Sequence, residues 1–368
     1  MRTFIATTLE GLESALGEEL KELGAQHCFA LKRAVRFDAE ISELDTIVSY
    51  SRLTLKFLLP LLEFEIQKGD QLYAKSKAFE WGDWLTPQST FCIDSTVKST
   101  LYQHTKYPSM LLKDAIVDTI REQTGERPSI DIENPDVRVT LQIFENKVRI
   151  LADLAGKPLF KRGYRRYSGE APLNEVLAAG LIRLSGWSPQ RDSFFDPMTG
   201  SGTLVAEAAL KAQDIPHTKP RDGWAFQKWA GFESKRKRAD EVPNNKVFIG
   251  GADMLAARVK DAQRNLEIAG LYDIPTVEVA NFFSDDAPTC PPGVMIINPP
   301  YDERMELDED EAFYGRIGDT IKHKYKGWKV WVFSANKQAM KNIGLKTSKR
   351  LNLKNGPLEC RFYCYEVY

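Results

Sequence analysis

The chain has 368 residues, more than one ordinary domain needs and enough for two or three, with 43% hydrophobic and 27% charged residues. Its five cysteines (Cys28, Cys92, Cys290, Cys360 and Cys364) are odd in number, scattered and without a CxxC pair. This argues against a disulfide framework and a zinc site and suits a reducing cytosol.

No run approaches the roughly 18 apolar residues of a membrane span. The richest, Leu53 to Leu62, is broken by Lys56 and Pro60. The opening MRTFIATTLEGLE turns acidic too soon for a signal peptide, so a cytoplasmic location is expected. The net charge of −1 divides unevenly. Residues 1–155 hold 18 Lys and Arg against 24 Asp and Glu, and residues 156–368 hold 32 against 27. A nucleic-acid partner is permitted by this balance but not required by it.

In chain order, RTFIATT is strand-like, and Leu12, Leu16, Leu20 and Leu23 space a helix from Gly11 to Gly24. HCFALKRAVRFDA alternates as one strand, and a helix follows over Ile41–Arg52. A second α+β unit has helices at Gln71–Phe79 and Pro108–Gln123 around a strand at Thr90–Asp94. Strands Val137–Phe144 and Lys147–Leu154 then meet at a Glu145-Asn146 turn.

The linker KPLFKRGYRRYSGEAP opens a different rhythm: a helix from Asn174 to Gly186, strand SFFD, a glycine turn and a helix. Strand KVFIGG, helix Ala256–Ala269, strands TVEVAN and VMIIN, a helix near Ala312–Tyr325 and strand WKVWVFSA complete the alternation. Near-continuous apolar strands alternating with helices predict a doubly wound, mostly parallel α/β sheet. Ser348–Leu353 and Glu359–Val367, joined through Asn355-Gly356, predict an edge hairpin.

FFDPMTGSGTLVAEAA carries the first chemistry. Asp196 and Pro197 end a strand, Gly200 and Gly202 let backbone approach a ligand closely, and Thr203 opens a helix. The spacing matches neither the phosphate loop nor GxGxxG, and the missing Lys suits a ligand without phosphates. Asp253, after the second strand, is placed to accept from both hydroxyls of a ribose. Asn281 can bond an adenine amine while Phe282 packs on its ring. The segment from Ala212 to Asn245 is an insertion, and its aromatic and basic content suits either a nucleic-acid-facing flap or a covering helix.

The sharpest signal is Asn298-Pro299-Pro300-Tyr301 after the apolar strand VMIIN. It places a carboxamide, a rigid bend and an aromatic ring at the ligand-bearing sheet edge. An exocyclic amine is a weak nucleophile because its lone pair is delocalised. Acceptors on its hydrogens, the Asn298 side-chain oxygen and the Pro299 carbonyl, draw electron density onto the nitrogen. Tyr301 is placed to stack on an unstacked base.

These residues resemble the amino-methylating class I methyltransferases with a [DNS]-P-P-[YFW] motif. GLESALGEELKELGA, FCIDSTVKSTLYQHTKYPSMLLKDAIVDTI and LFKRGYRRY…APLNEVLAAGL are similar to the THUMP-domain RNA methyltransferases, particularly the bacterial large-subunit ribosomal RNA guanine-N2 enzymes. The resemblance implies a ferredoxin-like piece over 1–60, a THUMP domain over 61–156, a basic linker over 157–171 and a Rossmann-like methyltransferase domain over 172–368. It implies S-adenosylmethionine held by Pro172, Leu173, Asp196, Pro197, Gly200, Gly202, Thr203, Asp253, Asn281 and Phe282. Asn298, Pro299, Pro300 and Tyr301 would hold the base, with no metal.

Lys98, Lys106, Lys113, Lys161, Arg162, Arg165 and Arg166 are the expected RNA contacts. The family more often has an acid at position 281 and Gly at position 302, where this chain has Asn281 and Asp302. The expected reaction is guanine-N2 methylation of 23S ribosomal RNA. Its alternatives are N6-adenine methylation of DNA, guanine-N2 methylation of transfer RNA, and a non-catalytic RNA-binding assembly factor.

Overall fold

A computed structural model describes residues 1–169, 173–217, 223–229, 231–232, 247–272, 274–300 and 307–368. The first half comprises β1 (Arg2–Thr7), α1 (Glu13–Glu22), β2 (Gln26–Leu31), β3 (Ala34–Ala39), α2 (Leu44–Tyr50) and β4 (Lys56–Glu65). It continues with α3 (Gln71–Lys77), β5 (Thr90–Lys98), α4 (Tyr107–Thr124), β6 (Ser129–Ile130), β7 (Val137–Phe144) and β8 (Lys147–Asp153). All eight strands join one sheet in the order β2-β3-β1-β4-β8-β7-β5-β6. The ferredoxin-like and THUMP regions therefore share a sheet, with β4 crossing the expected boundary at residue 60.

Two expectations are corrected here. HCFALKRAVRFDA is a hairpin, β2 with β3, that turns at Lys32-Arg33, where Arg33 has φ of +58°. The segment around Pro60, not expected to be a strand, lies at the centre of the sheet. Proline cannot donate to a ladder, and β4 accommodates it at a register shift between Pro60 and Leu62. Its pairing with β1 ends at Leu58.

The second half comprises α5 (Glu175–Ser185), β9 (Ser193–Asp196), α6 (Thr203–Ala212), β10 (Ile249–Asp253), α7 (Ala256–Ala269) and β11 (Thr276–Val279). After these come β12 (Gly293–Ile297), α8 (Leu307–Lys324), β13 (Lys329–Ser334), β14 (Thr347–Asn355) and β15 (Leu358–Glu366). Asn174 caps α5 by accepting from Val176 and Leu177 N–H at 3.0 and 3.2 Å, and left-handed Gly186 ends it. The seven strands run β11-β10-β9-β12-β13-β15-β14. β9 to β13 are parallel, and β15 runs antiparallel to both of its neighbours.

The halves are packed together. Leu12 lies in the core of the second half, and Gly180 on α5 has no room for a Cβ, which would meet Leu12 Cδ1 at 2.7 Å. Charge is buried at the same junction. Glu19 accepts from Ser51 Oγ and from the N–H groups of Arg52 and Leu53. Arg52 donates to the carbonyls of Leu210 and Ile215.

The described part of the insertion is a strap across this junction. Trp224, Phe226, Trp229 and Phe232 are buried in the core of the first half. Phe226 N–H donates to the Leu154 carbonyl at 3.0 Å, Trp224 Nε1 donates to Ser49 Oγ at 3.1 Å, and Trp229 meets Trp84 edge-on. Between the two expected roles, residues 223–229 and 231–232 take the covering one. The basic run Lys235–Arg238 lies outside the described residues.

Candidate active site

The carboxyl ends of β9, β10, β11 and β12 converge on one cavity of about 470 Å³. That volume falls within the range of small-molecule sites. From β9 the chain passes Asp196 into the turn Pro197–Ser201. Gly200 and Gly202 hold φ of +52° and +81°, which strains any other residue. Gly202 also caps α6 where α7 lies so close that a Cβ would meet that of Ala262 at 3.0 Å.

Asp253, at the end of β10, accepts from Gly200 N–H and Leu255 N–H, both at 3.0 Å, so one carboxylate ties the glycine turn to the next loop. Asp196 is 1% exposed and accepts from Met198 N–H at 3.2 Å. Burial lifts its carboxyl to about 7, and the nearby charge of Asp253 pushes the same way.

After β11, Asn281 Oδ1 accepts from Phe283 N–H at 3.0 Å, while its own N–H donates to Asp285. Its amide oxygen thus shapes the turn and, able to accept twice, keeps one capacity for a ligand. Phe282 is buried between Phe283 and Tyr325. β12 delivers Asn298, Pro299 and Pro300 to the same space.

Of the residues expected to hold a cofactor or base, Leu173, Asp196, Pro197, Gly200, Thr203, Asp253, Asn281, Phe282, Asn298, Pro299 and Pro300 line this cavity. Gly202 sits behind it as a cap and packing point. Pro172 and Tyr301 lie outside the described residues. Sequence reasoning missed Met198, Leu255, Arg258, Phe283 and Phe313 on the cavity wall. A signal existed for one: Met254-Leu255 is an apolar pair directly after a strand-end acid, and Leu255 remains 55% exposed.

The expected RNA contacts divide. Lys98, Lys106, Lys161 and Arg166 are exposed. Lys113 is half-buried and pairs with Asp114 at 2.7 Å. Arg162 is a correction, because its side chain is fully enclosed and no phosphate can reach it. It pairs with Glu207 at 3.3 Å and donates to the carbonyls of Leu159 and Arg52, while Tyr164 OH shares the same Glu207 oxygen. Arg165 is partly buried and already engaged. It donates to the Leu173 carbonyl and pairs with Glu175 at 3.1 Å, holding the cavity edge from behind.

Numbered within its sheet, the second half has strand order 3-2-1-4-5-7-6 with the seventh strand antiparallel, the arrangement of a class I methyltransferase. Comparison with known proteins agrees. Residues 162–363 match the RMKL-like methyltransferase domain, 68–153 the THUMP domain and 3–55 the RlmL ferredoxin-like domain. A Synechocystis sp. protein carrying the provisional name of an RNA methyltransferase is 34% identical over all of this chain and 97% of its own length.

The ribosomal RNA large subunit methyltransferase K/L of Syntrophotalea carbinolica is 33% identical over 99% of this chain. The chain spans only 53% of that relative's length. SMU.472, a provisional methyltransferase crystallised with S-adenosylhomocysteine, superposes with a TM-score of 0.87 at 26% identity, over 100% of this chain and 98% of its own. A structure from Listeria monocytogenes, named for N6-adenine-specific DNA methylation, does so at 0.85 and 26%, over 100% and 96%.

The chain belongs to the RMKL-like methyltransferase family, with THUMP and ferredoxin-like regions ahead of the catalytic domain. It is a methyltransferase, and the donor whose spent form is bound to SMU.472 is S-adenosylmethionine. The cavity fits that molecule: two carboxylates face a ligand with cationic centres and a ribose diol, apolar side chains offer ring contacts, and the glycine turn lacks the Lys a phosphate would want. Among the described residues no cluster of His, Cys, Asp and Glu could hold a metal, and no helix is long and apolar enough to cross a membrane.

Proposed function

We propose that this protein methylates the exocyclic N2 amine of a guanine in 23S ribosomal RNA. The observation that carries the reading is that Asn298, Pro299 and Pro300 share one cavity with the glycine turn and Asp253. An amine gripped at the first place lies beside a methyl donor held at the second. The name of the Syntrophotalea relative supports the choice of ribosomal RNA.

When bound, S-adenosylmethionine supplies an electrophilic sulfonium methyl. Asp253 would accept from the ribose hydroxyls, and Leu255 and Phe283 would offer apolar contact to the adenine. Asp196 and the glycine-turn backbone would hold the methionine end, with Leu173, and by the family resemblance Pro172, alongside. Asn298 Oδ1 and the Pro299 carbonyl accept the two hydrogens of the target amine, which localises its lone pair and aims it. Neither acceptor is basic enough to take the proton that the amine sheds once substituted, and that proton would pass to solvent water. Tyr301 stacks on the base, and exposed cations such as Lys98, Lys106, Lys161 and Arg166 meet phosphates.

The test uses labelled S-adenosylmethionine with unmodified ribosomal RNA, transfer RNA or DNA, followed by digestion and identification of the labelled nucleoside. N2-methylguanosine in ribosomal RNA is expected. Label in N6-methyladenine of DNA, or in transfer RNA alone, would overturn the reading, because the amine chemistry by itself serves all three.

A further inference from the structure

Behind the cavity wall, outside the set of residues that line it, α7 carries Asn265, a carboxamide that is 1% exposed. Its Oδ1 accepts from Arg166 N–H and Tyr167 N–H at 3.0 and 3.1 Å. Its Nδ2 donates to the Tyr167 carbonyl at 2.6 Å and to the Ser201 carbonyl at 3.0 Å. A carboxamide has two donor hydrogens and an oxygen able to accept twice, so all four capacities are used.

The partners belong to the two walls of the cofactor cavity. Ser201 is part of the glycine turn and lines the cavity. Arg166 and Tyr167 lead within two residues to Gly169, which lines it from the other side, and a Cβ at Gly169 would meet the Arg258 guanidinium, also on α7, at 3.1 Å. One turn earlier on the same helix face, Ala262 abuts Gly202. The Arg264 guanidinium lies 5.0 Å over the Tyr167 ring.

We propose that Asn265 is a positioning residue that sets the width of the cofactor cavity by holding the 166–169 segment and the glycine turn at a fixed separation. It touches neither cofactor nor RNA. No other side chain of this size supplies two donors and two acceptances at once: aspartate keeps the acceptor role but sets a carboxylate against two carbonyls, and leucine keeps only the volume. Without the clasp, the walls relax in the cofactor-free protein, and binding must restore them at the expense of affinity.

The inference rests on the reading that this cavity takes S-adenosylmethionine, and its test separates the two ideas. Full-length wild type, Asn265→Leu and Asn265→Asp are titrated calorimetrically with S-adenosylhomocysteine, and methyl transfer is followed against cofactor concentration. Wild type is expected to bind. Both variants should bind about tenfold to a hundredfold more weakly, because two or more buried hydrogen bonds are missing. KM for the cofactor should rise in step while kcat at saturating cofactor is preserved, a split that a merely stabilising residue would not give.

Asn265→Asp, matched in shape, serves if the leucine variant does not fold. Wild-type failure to bind would remove the cofactor reading, and this inference with it. A binding wild type, with either folded variant within twofold of it, would overturn the inference alone.

Discussion

Arg162 lies in a segment whose composition suggests a surface that meets RNA, yet its guanidinium is sealed inside the protein. Arg162→Met keeps the stem volume and removes the charge. The variant strands Glu207 with Tyr164 OH as its remaining partner and leaves the Leu159 and Arg52 carbonyls without their donor. Breaking one side of an ion pair this deeply buried costs about 3–5 kcal/mol, because the surviving charge stays desolvated. Typical total stability is about 5–15 kcal/mol, so a large fraction is lost.

Pairing Arg162→Met with Glu207→Leu removes both charges and should recover part of it, since a buried pair is about neutral against apolar groups of similar volume while the buried Arg52 loses the nearby charge of Glu207. The assay is urea unfolding of the two single variants and the double, closed as a mutant cycle, together with RNA titrations at several salt concentrations. The expected result is strong, non-additive destabilisation with an RNA salt slope equal to wild type. If Arg162→Met is as stable as wild type and its salt slope is shallower, the arginine faces phosphate and the argument fails.

Asn298→Ala should cut transfer by about 10²–10³, the usual worth of one preorganised polar group at developing charge, while S-adenosylhomocysteine affinity measured by calorimetry stays unchanged. Full activity in that variant would contradict the amine-acceptor role. For Asp196 the folded carboxyl is raised to about 7 against about 3.9 unfolded, so its contribution is complete below about pH 4 and is lost as pH climbs through 7. The loss amounts to about 4 kcal/mol. Asp196→Asn should therefore gain stability relative to wild type between pH 5 and 7.5 in urea titrations, and a flat difference would refute the burial argument. Reversing Lys161 and Arg166 to Glu should weaken RNA binding and make its salt slope shallower by about 0.7 for each phosphate no longer neutralised. An unchanged slope would show that this edge of the linker does not touch RNA.

What the sequence made legible follows from the range of the signals. Helix Ala256–Ala269 and strand Val137–Phe144 emerge with the expected boundaries because apolar periodicity and terminal glycine or turn residues are local. The glycine turn, Asp253 and Asn298-Pro299-Pro300 converge because each follows a parallel strand, and such strands deliver their carboxyl ends to one edge. What stayed hidden depends on distant partners. Nothing near Arg162 announces Glu207, which comes 45 residues later on α6. β4 is obscured by Lys56 and Pro60, and the structure accommodates the proline only because β1 has already stopped pairing. Arg258 and Phe313 carry no motif of their own, and only the fold turns them toward the cavity.

The same dependence on distant partners bears on the charge of the first half. By count, residues 1–155 are acidic by six, which argues against a phosphate backbone as partner. The packed structure changes that sum, because three of those acids are met by cations from the second half: Glu10 by Lys354 at 3.0 Å, Glu22 by Arg183 at 2.8 Å and Asp136 by Lys228 at 2.7 Å. Half of the surplus is therefore neutralised by the act of docking. The Lys228 pair is supplied by the strap, so the insertion both spans the two halves and offsets part of the first half's negative charge. Within the first half, Asp94 is held between Lys56 and Arg138, and Asp153 is wholly buried, with burial raising its carboxyl to about 6. Electrostatic attraction to RNA acts over about a Debye length, roughly 8 Å at physiological salt. Attraction of that range answers to local sets of exposed cations, of which Lys98, Lys106, Lys161 and Arg166 are the proposed ones, and a domain's formal charge is a poor guide to it.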